Sequence, residues 1–163
     1  MILPSNLNSN PNQRLGYAWL ALTCALALHV LDEALTGFLP IYNATVLALR
    51  AEYLWFPMPT FTFPVWLSGL ILLIVVMLAL SPLFFRGVRW VRPIGYFMAV
   101  LNVLNALGHT TETIFGRTVS TIHFQRPAPG FYSSPFLFLA SVFLLLALRR
   151  SRQQDTSAAF ASN

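Results

Sequence analysis

The sequence has no lysine, one cysteine and five acidic residues in 163. Each shortage excludes something. Only 9% of the residues are charged, against about 25% in a soluble domain, so a water-soluble globular fold is excluded. The lone Cys24 rules out an intramolecular disulfide and reads as a small packing or lipid-facing residue. All ten basic residues are arginines that sit beside apolar runs, where they set topology rather than bind nucleic acid. There is no nucleophile elbow, phosphate loop or haem motif. What fills the chain instead is apolar: 56% of it is hydrophobic.

The apolar residues fall into runs of roughly 20, the length that a bilayer demands. They predict an all-α, polytopic membrane protein, a bundle of four transmembrane helices. Residues 1–14 read as a disordered cytoplasmic tail, 15–149 as the membrane domain and 150–163 as a second polar tail. The spans are expected at about 15–35, 64–85, 93–114 and 132–148. Pro93 suits the first turn of the third. A cleaved leader is the weaker reading of the first run, because the segment before it is long and has only Arg14 as a basic residue. In the first outer loop "NATVLALRAEYLW" predicts a short interfacial helix capped by Asn43, and "FPMPTFTFP" predicts irregular chain. With four spans both termini share a side. That side carries seven arginines (14, 86, 89, 92, 149, 150 and 152) against three at 50, 117 and 126. The imbalance places the termini in the cytoplasm of a multi-pass cell-membrane protein.

"LHVLDEALTG", residues 28–37, breaks the apolar pattern. With a rise of about 1.5 Å per residue, His29 lies about 21 Å above Leu15 and Glu33 about 27 Å. On the third span, counted from Pro93, Asn105 lies about 18 Å up, His109 about 24 Å and Glu112 about 28 Å. Both polar sets therefore occupy one outer slab. They also form stripes: His29 and Glu33 are one turn apart with Asp32 beside them, and Asn105, His109 and Glu112 are spaced i, i+4, i+7. Facing the stripes inward keeps the carboxylates off lipid, where each costs about 3 kcal/mol.

The spans hold no cation to pair with Asp32, Glu33 and Glu112. Protonation, pairing with protonated histidine, the loop residues Arg117 and Arg126, or a divalent metal such as zinc or iron all remain open. Histidines and carboxylates three or four apart on facing helices are a metal-ligand arrangement. The candidate catalytic and metal-ligating residues are His29, Glu33, His109 and Glu112. His123 is a weaker ligand candidate, in the loop above them. Asn102 reads as a helix–helix hydrogen bond. Pro129-Gly130 reads as a turn that returns the chain to the bilayer, with Gly130 able to approach the polar slab closely.

"HVLDE" at 29–33, "NALGH" at 105–109 and "PG" at 129–130 resemble the three signatures of the HXXEE-domain proteins. The resemblance spans most of the chain. It implies a small multi-span membrane protein of suspected enzymic function, with motif residues at His29, Glu33, Asn105, His109, Pro129 and Gly130. The chain departs from the pattern at Asp32, where the family has Glu; Asp is one methylene shorter. A second, weaker likeness is to the sterol isomerase-like four-helix membrane fold.

Three functions compete. A lipid-facing enzyme of hydrolase or isomerase type would use His and Glu as acid and base or as metal ligands, with membrane lipid or another hydrophobic molecule as substrate. A proton or metal-ion carrier would use the carboxylates as a relay. A scaffold would use the slab for packing alone. A relay needs polar groups through the bilayer, yet the inner half is nearly bare, with Thr23 and Ser68 as its polar breaks. That favours a one-sided pocket.

Overall fold

The computed structural model describes residues 10–161, with side chains through Gln154. Among the described residues the chain is helical with no strand: α1 (Pro11–Thr36), α2 (Phe38–Glu52), α3 (Phe63–Phe85), a 3-10 turn at Arg89–Val91, α4 (Arg92–Phe115) and α5 (Ser134–Ala161). All except α2 are long and apolar enough to cross a membrane, α4 together with the turn before it.

Local chemistry explains where the helices differ from expectation. The first begins at Pro11, not Leu15. The Asn10 side chain accepts from the Asn12 amide at 3.0 Å, and Pro11 takes the first helical position, where its missing N–H costs nothing. Residues 11–14 are thus helix rather than tail, while 1–9 lie outside the described residues. At the other end α5 runs on past Leu148, because Arg, Gln and Ala are good helix formers and neither Gly nor Pro follows to stop it. In the first loop α2 starts at Phe38, directly after α1. Gly37 adopts φ 80°, which lets one helix turn straight into the next. Asn43 is therefore inside α2 and caps nothing. Its amide instead holds the irregular segment, donating to Phe61 O at 2.8 Å and accepting from Phe61 N at 3.0 Å.

Helix α1 is the centre of the bundle. Of its spanning window 56% is buried, against 11% for α3. It packs on α3 and α5, while α4 packs on α5. Trp19 stacks on Phe84 of α3, ring centroids 4.0 Å apart, and its indole N–H donates to Met77 O at 2.7 Å. The outward faces stay apolar, with Leu72, Val75, Phe97, Leu104, Leu139 and Phe143 exposed. Such a surface suits acyl chains and is untenable in water. Helices α1 and α4 meet over only a short stretch.

Away from the histidines and carboxylates, polar side chains of the spans are satisfied within their own helices. Thr23, Ser68, Ser81 and Ser141 each donate to a carbonyl three or four residues back. Asn102 does the same, donating to Met98 O at 2.8 Å, so it bonds within its own helix and not across helices. Ser68 lies in the second turn of α3, at the end of the bundle where α1 ends, so it shares that half with His29 and Glu33.

Close packing of α1 on α3 depends on Gly16. A Cβ there would lie 2.3 Å from the Phe85 ring. Gly16→Ala should lower the thermal midpoint in detergent, by an overpacking cost of about 1–3 kcal/mol. Phe85→Ala should absorb most of that loss. Additive effects of the two substitutions would refute the contact.

Candidate metal centre

At the C-terminal ends of α1 and α4 the two stripes meet. Glu33 Oε1 lies 3.4 Å from His29 Nε2, one turn back on α1, and 3.1 Å from His109 Nε2 on α4. The imidazole rings stand edge to face with centroids 4.8 Å apart. All three residues are buried, and one ligand atom from each lies within 4.8 Å of the others. Two helices thus bring together three of the residues that carry the sequence pattern. This group can hold a metal ion.

The remaining candidates take other places. Glu112 is outside the three-residue group. Its Oε2 lies 3.9 Å from His109 Nδ1, behind the ring, and the side chain is half-buried. Asn105 Nδ2 is 3.1 Å from His29 Nε2. Asp32 turns away to the side and accepts from Ser133 N at 2.9 Å and Ser133 Oγ at 2.7 Å. His123 is exposed and pairs by its backbone with Arg117, so it does not close the site from above. Arg117 and Arg126 are exposed as well, and no ion pair joins either to Glu33 or Glu112.

Pro129-Gly130 forms the roof. Gly130 has φ 81°, a conformation that glycine alone adopts cheaply. A Cβ on it would lie 3.0 Å from Glu33 Cγ, His29 Cε1 and His109 Cε1 together. The turn is thus also a close approach of backbone to all three residues.

Three hydroxyls that the sequence did not announce hold this roof. Thr36 at the end of α1 accepts from Gly130 N at 3.2 Å, and Thr113 on α4 accepts from Ala128 N at 3.0 Å. Each threonine also donates to the carbonyl four residues back, Asp32 O at 2.6 Å and His109 O at 2.8 Å. Ser133 Oγ lies 2.8 Å from His29 Nδ1. The only signal for Thr36 and Thr113 was their place just beyond the acidic residues. Ser133 had no signal apart from its closeness to Pro129-Gly130.

A cavity of about 290 Å³ opens beside His109, between α2 and α4. Its walls combine Phe38, Ile41, Tyr42 and Leu104 with Asn105, Glu112, Thr45 and Thr118. Phe38 packs edge-on against the His109 ring at 5.6 Å, and the hydroxyls of Thr45 and Thr118 meet at 2.5 Å. Burial pushes the Tyr42 phenol up from its ordinary value, against the pull of Arg50, so it stays neutral and donates to Pro59 O. His109 Nδ1 is buried and has no hydrogen-bond partner among the described residues. It faces Glu112, which lines the cavity.

No protein-family model, curated protein or solved structure matches the chain.

The roof gives a direct test. Gly130→Ala should cost about 1–2 kcal/mol for the left-handed backbone and about 1–3 kcal/mol more for the added methyl. Gly69→Ala on α3, where a Cβ meets nothing within 4 Å, is the control. Thermal unfolding of both variants in detergent measures it, and equal stability would refute the close approach.

Proposed function

We propose that this chain is a metal-dependent membrane enzyme, with His29, Glu33 and His109 as ligands in the outer leaflet and a lipid or other hydrophobic molecule as substrate. The observation that carries the reading is the convergence of three buried ligand atoms within 4.8 Å, two of the separations being 3.4 and 3.1 Å. A tetrahedral zinc site holds neighbouring ligand atoms about 3.3 Å apart. Two histidines and one carboxylate leave the fourth position for water or substrate, the pattern of catalytic rather than structural zinc.

Donor chemistry supports the same reading. An Asn105 amide nitrogen only donates, so at 3.1 Å it faces a lone pair on His29 Nε2. That lone pair and Glu33 Oε1 are both acceptors, 3.4 Å apart in a buried site. A cation between them turns repulsion into attraction. Ligand histidines usually turn their second nitrogen toward a carboxylate or other acceptor. Here His29 Nδ1 turns to Ser133, itself bonded to Asp32, while His109 Nδ1 lies 3.9 Å from Glu112 with no hydrogen bond between them.

A bound divalent ion supplies Lewis acidity and lowers the pKa of its water. The protein's own part is to place Glu112 and Asn105 on the cavity wall beside the cluster, as proton acceptor and hydrogen-bond donor for a substrate's polar group. The apolar wall and the exposed Leu104 at its edge suit an acyl or isoprenoid tail. Kinship with the HXXEE-domain proteins is part of this proposal, since its motif residues surround the cluster. A carrier has less support, because Thr23, Ser81, Asn102 and Ser141 are committed to their own helices and form no chain across the bilayer.

Metal content of the purified protein by mass spectrometry is the test. His29→Ala, His109→Ala and the double variant should lose metal to a similar extent, because one missing ligand already removes most of the binding. Glu112→Gln should lose less, about 10–100-fold in affinity, and His123→Ala nothing. Wild-type protein without metal above background would overturn the reading. The leaflet is tested separately: reporter fusions should place the C-terminus in the cytoplasm and Arg50 outside, and a C-terminal fusion reporting the outside would move the site to the inner leaflet.

A further inference from the structure

We infer that Ser133, backed by Asp32, is a positioning residue that locks His29 in the tautomer whose Nε2 lone pair faces Glu33 and His109. The inference deepens the metal reading above, and its geometric basis stands without it.

Ser133 Oγ carries one proton and has three neighbours within hydrogen-bond distance: Asp32 Oδ2 at 2.7 Å, His29 Nδ1 at 2.8 Å and Gly130 O at 3.1 Å. Asp32 Oδ2 also accepts from Ser133 N at 2.9 Å. Two donors on one oxygen mark it as an acceptor, and the charge-assisted bond is the shortest. The hydroxyl proton therefore goes to Asp32. The hydroxyl oxygen is left to accept, so His29 Nδ1 must carry the hydrogen.

Asn105 lies on the other side of the ring. Its amide nitrogen lies 3.1 Å from His29 Nε2 and can only donate, which agrees with an unprotonated Nε2. Ser133 and Asp32 thus select the tautomer, and Asn105 on α4 is compatible with it. The result is a neutral imidazole whose Nε2 lone pair faces Asn105 and the cluster, the form in which histidine binds a metal. The alternative tautomer would set two hydrogens against each other at Asn105 and leave Asp32 facing a lone pair at 2.7 Å.

Placement explains why this needs a serine at 133. Residue 133 immediately precedes α5, and its backbone N–H is still free to bond a side chain. Asp32 is three residues on from His29, on the same side of α1. A glutamate there would be longer by a methylene and would overrun the hydroxyl.

The experiment uses the full chain in lipid nanodiscs, with ¹⁵N-labelled histidine and zinc alone as the metal probe. In chelator-treated wild type, His29 should show a protonated Nδ1 and an unprotonated Nε2. Ser133→Ala should release the ring to both tautomers and weaken zinc binding about 10–100-fold, and Ser133→Thr, which keeps the hydroxyl, should restore both. Asp32→Asn should act in the same direction as Ser133→Ala, because a neutral amide holds the hydroxyl proton less firmly. A protonated Nε2 in the metal-free wild type overturns the inference, as does a Ser133→Ala variant with unchanged tautomer and zinc affinity. The wild-type spectrum decides the point even if a variant fails to fold. The expected tautomer without zinc binding would leave this inference standing and sink the metal centre; zinc binding with the other tautomer would do the reverse.

Discussion

The carboxylate of Glu33 is the constraint on which the rest of the structure depends. A bilayer offers no water to a charged or polar group, so every such group placed inside it must find its partners within the protein. On α1 Glu33 has His29 Nε2 beside it at 3.4 Å but no hydrogen bond among the described residues. It takes a second contact from His109, and that contact draws α4 to α1 at one short stretch although α4 packs mainly on α5. Once two histidines share one carboxylate, no side chain fits above them. The loop that returns to the membrane must then cross the cluster as bare backbone, which is where Gly130 lies.

This explains how the rest of that end of the bundle is organised. A glycine turn over a polar cluster is not held by its own side chain, so neighbouring helices must hold it. Thr36 and Thr113 accept its amides from opposite sides, one from each helix that supplies the cluster. Ser133 ties the same turn to Asp32 and His29. Roof and cluster thus share their supports, and a change in the spacing of α1 and α4 would disturb both. The irregular segment between α2 and α3 is held in a comparable way, by Asn43 on Phe61 and by the Arg50 guanidinium on Met58 O at 2.6 Å.

The spans and the meeting of the two stripes were legible because they rest on two regular quantities, the rise and the period of a helix. His29, Glu33 and His109 could be set at one depth and on facing sides without any knowledge of loops. Glu112 was harder. It shares a stripe with His109, but it sits a turn higher and reaches the Nδ1 edge of the ring, while the cluster forms at Nε2. Side-chain reach, not periodicity, separates those roles. Thr36, Thr113 and Ser133 were not legible, because their roles exist only once the 116–133 segment has folded back, and nothing periodic governs that path. Asn43 misled for a related reason. It is a good N-cap residue, but the chain had already turned into α2 at Gly37, and so its amide was free for Phe61.

The two histidines are chemically alike in the sequence, and their surroundings make them different. Each turns Nε2 toward Glu33. The outer nitrogen of His29 is closed off by Ser133 and, through it, Asp32, within the packed contact of α1 and the turn before α5. The outer nitrogen of His109 has no such bond and looks past Glu112 to the cavity between α2 and α4. One ring is fixed and the other adjoins the space where a ligand can lie. Under the enzymatic reading this divides the work: His29 holds the geometry of the centre, while His109 and Glu112 meet the substrate. The apolar walls on that side, Phe38, Ile41 and Leu104, then fix which end of an amphiphile arrives first. Under that reading its polar group would meet Asn105, His109 and Glu112, and its tail would remain among the exposed apolar faces of the helices.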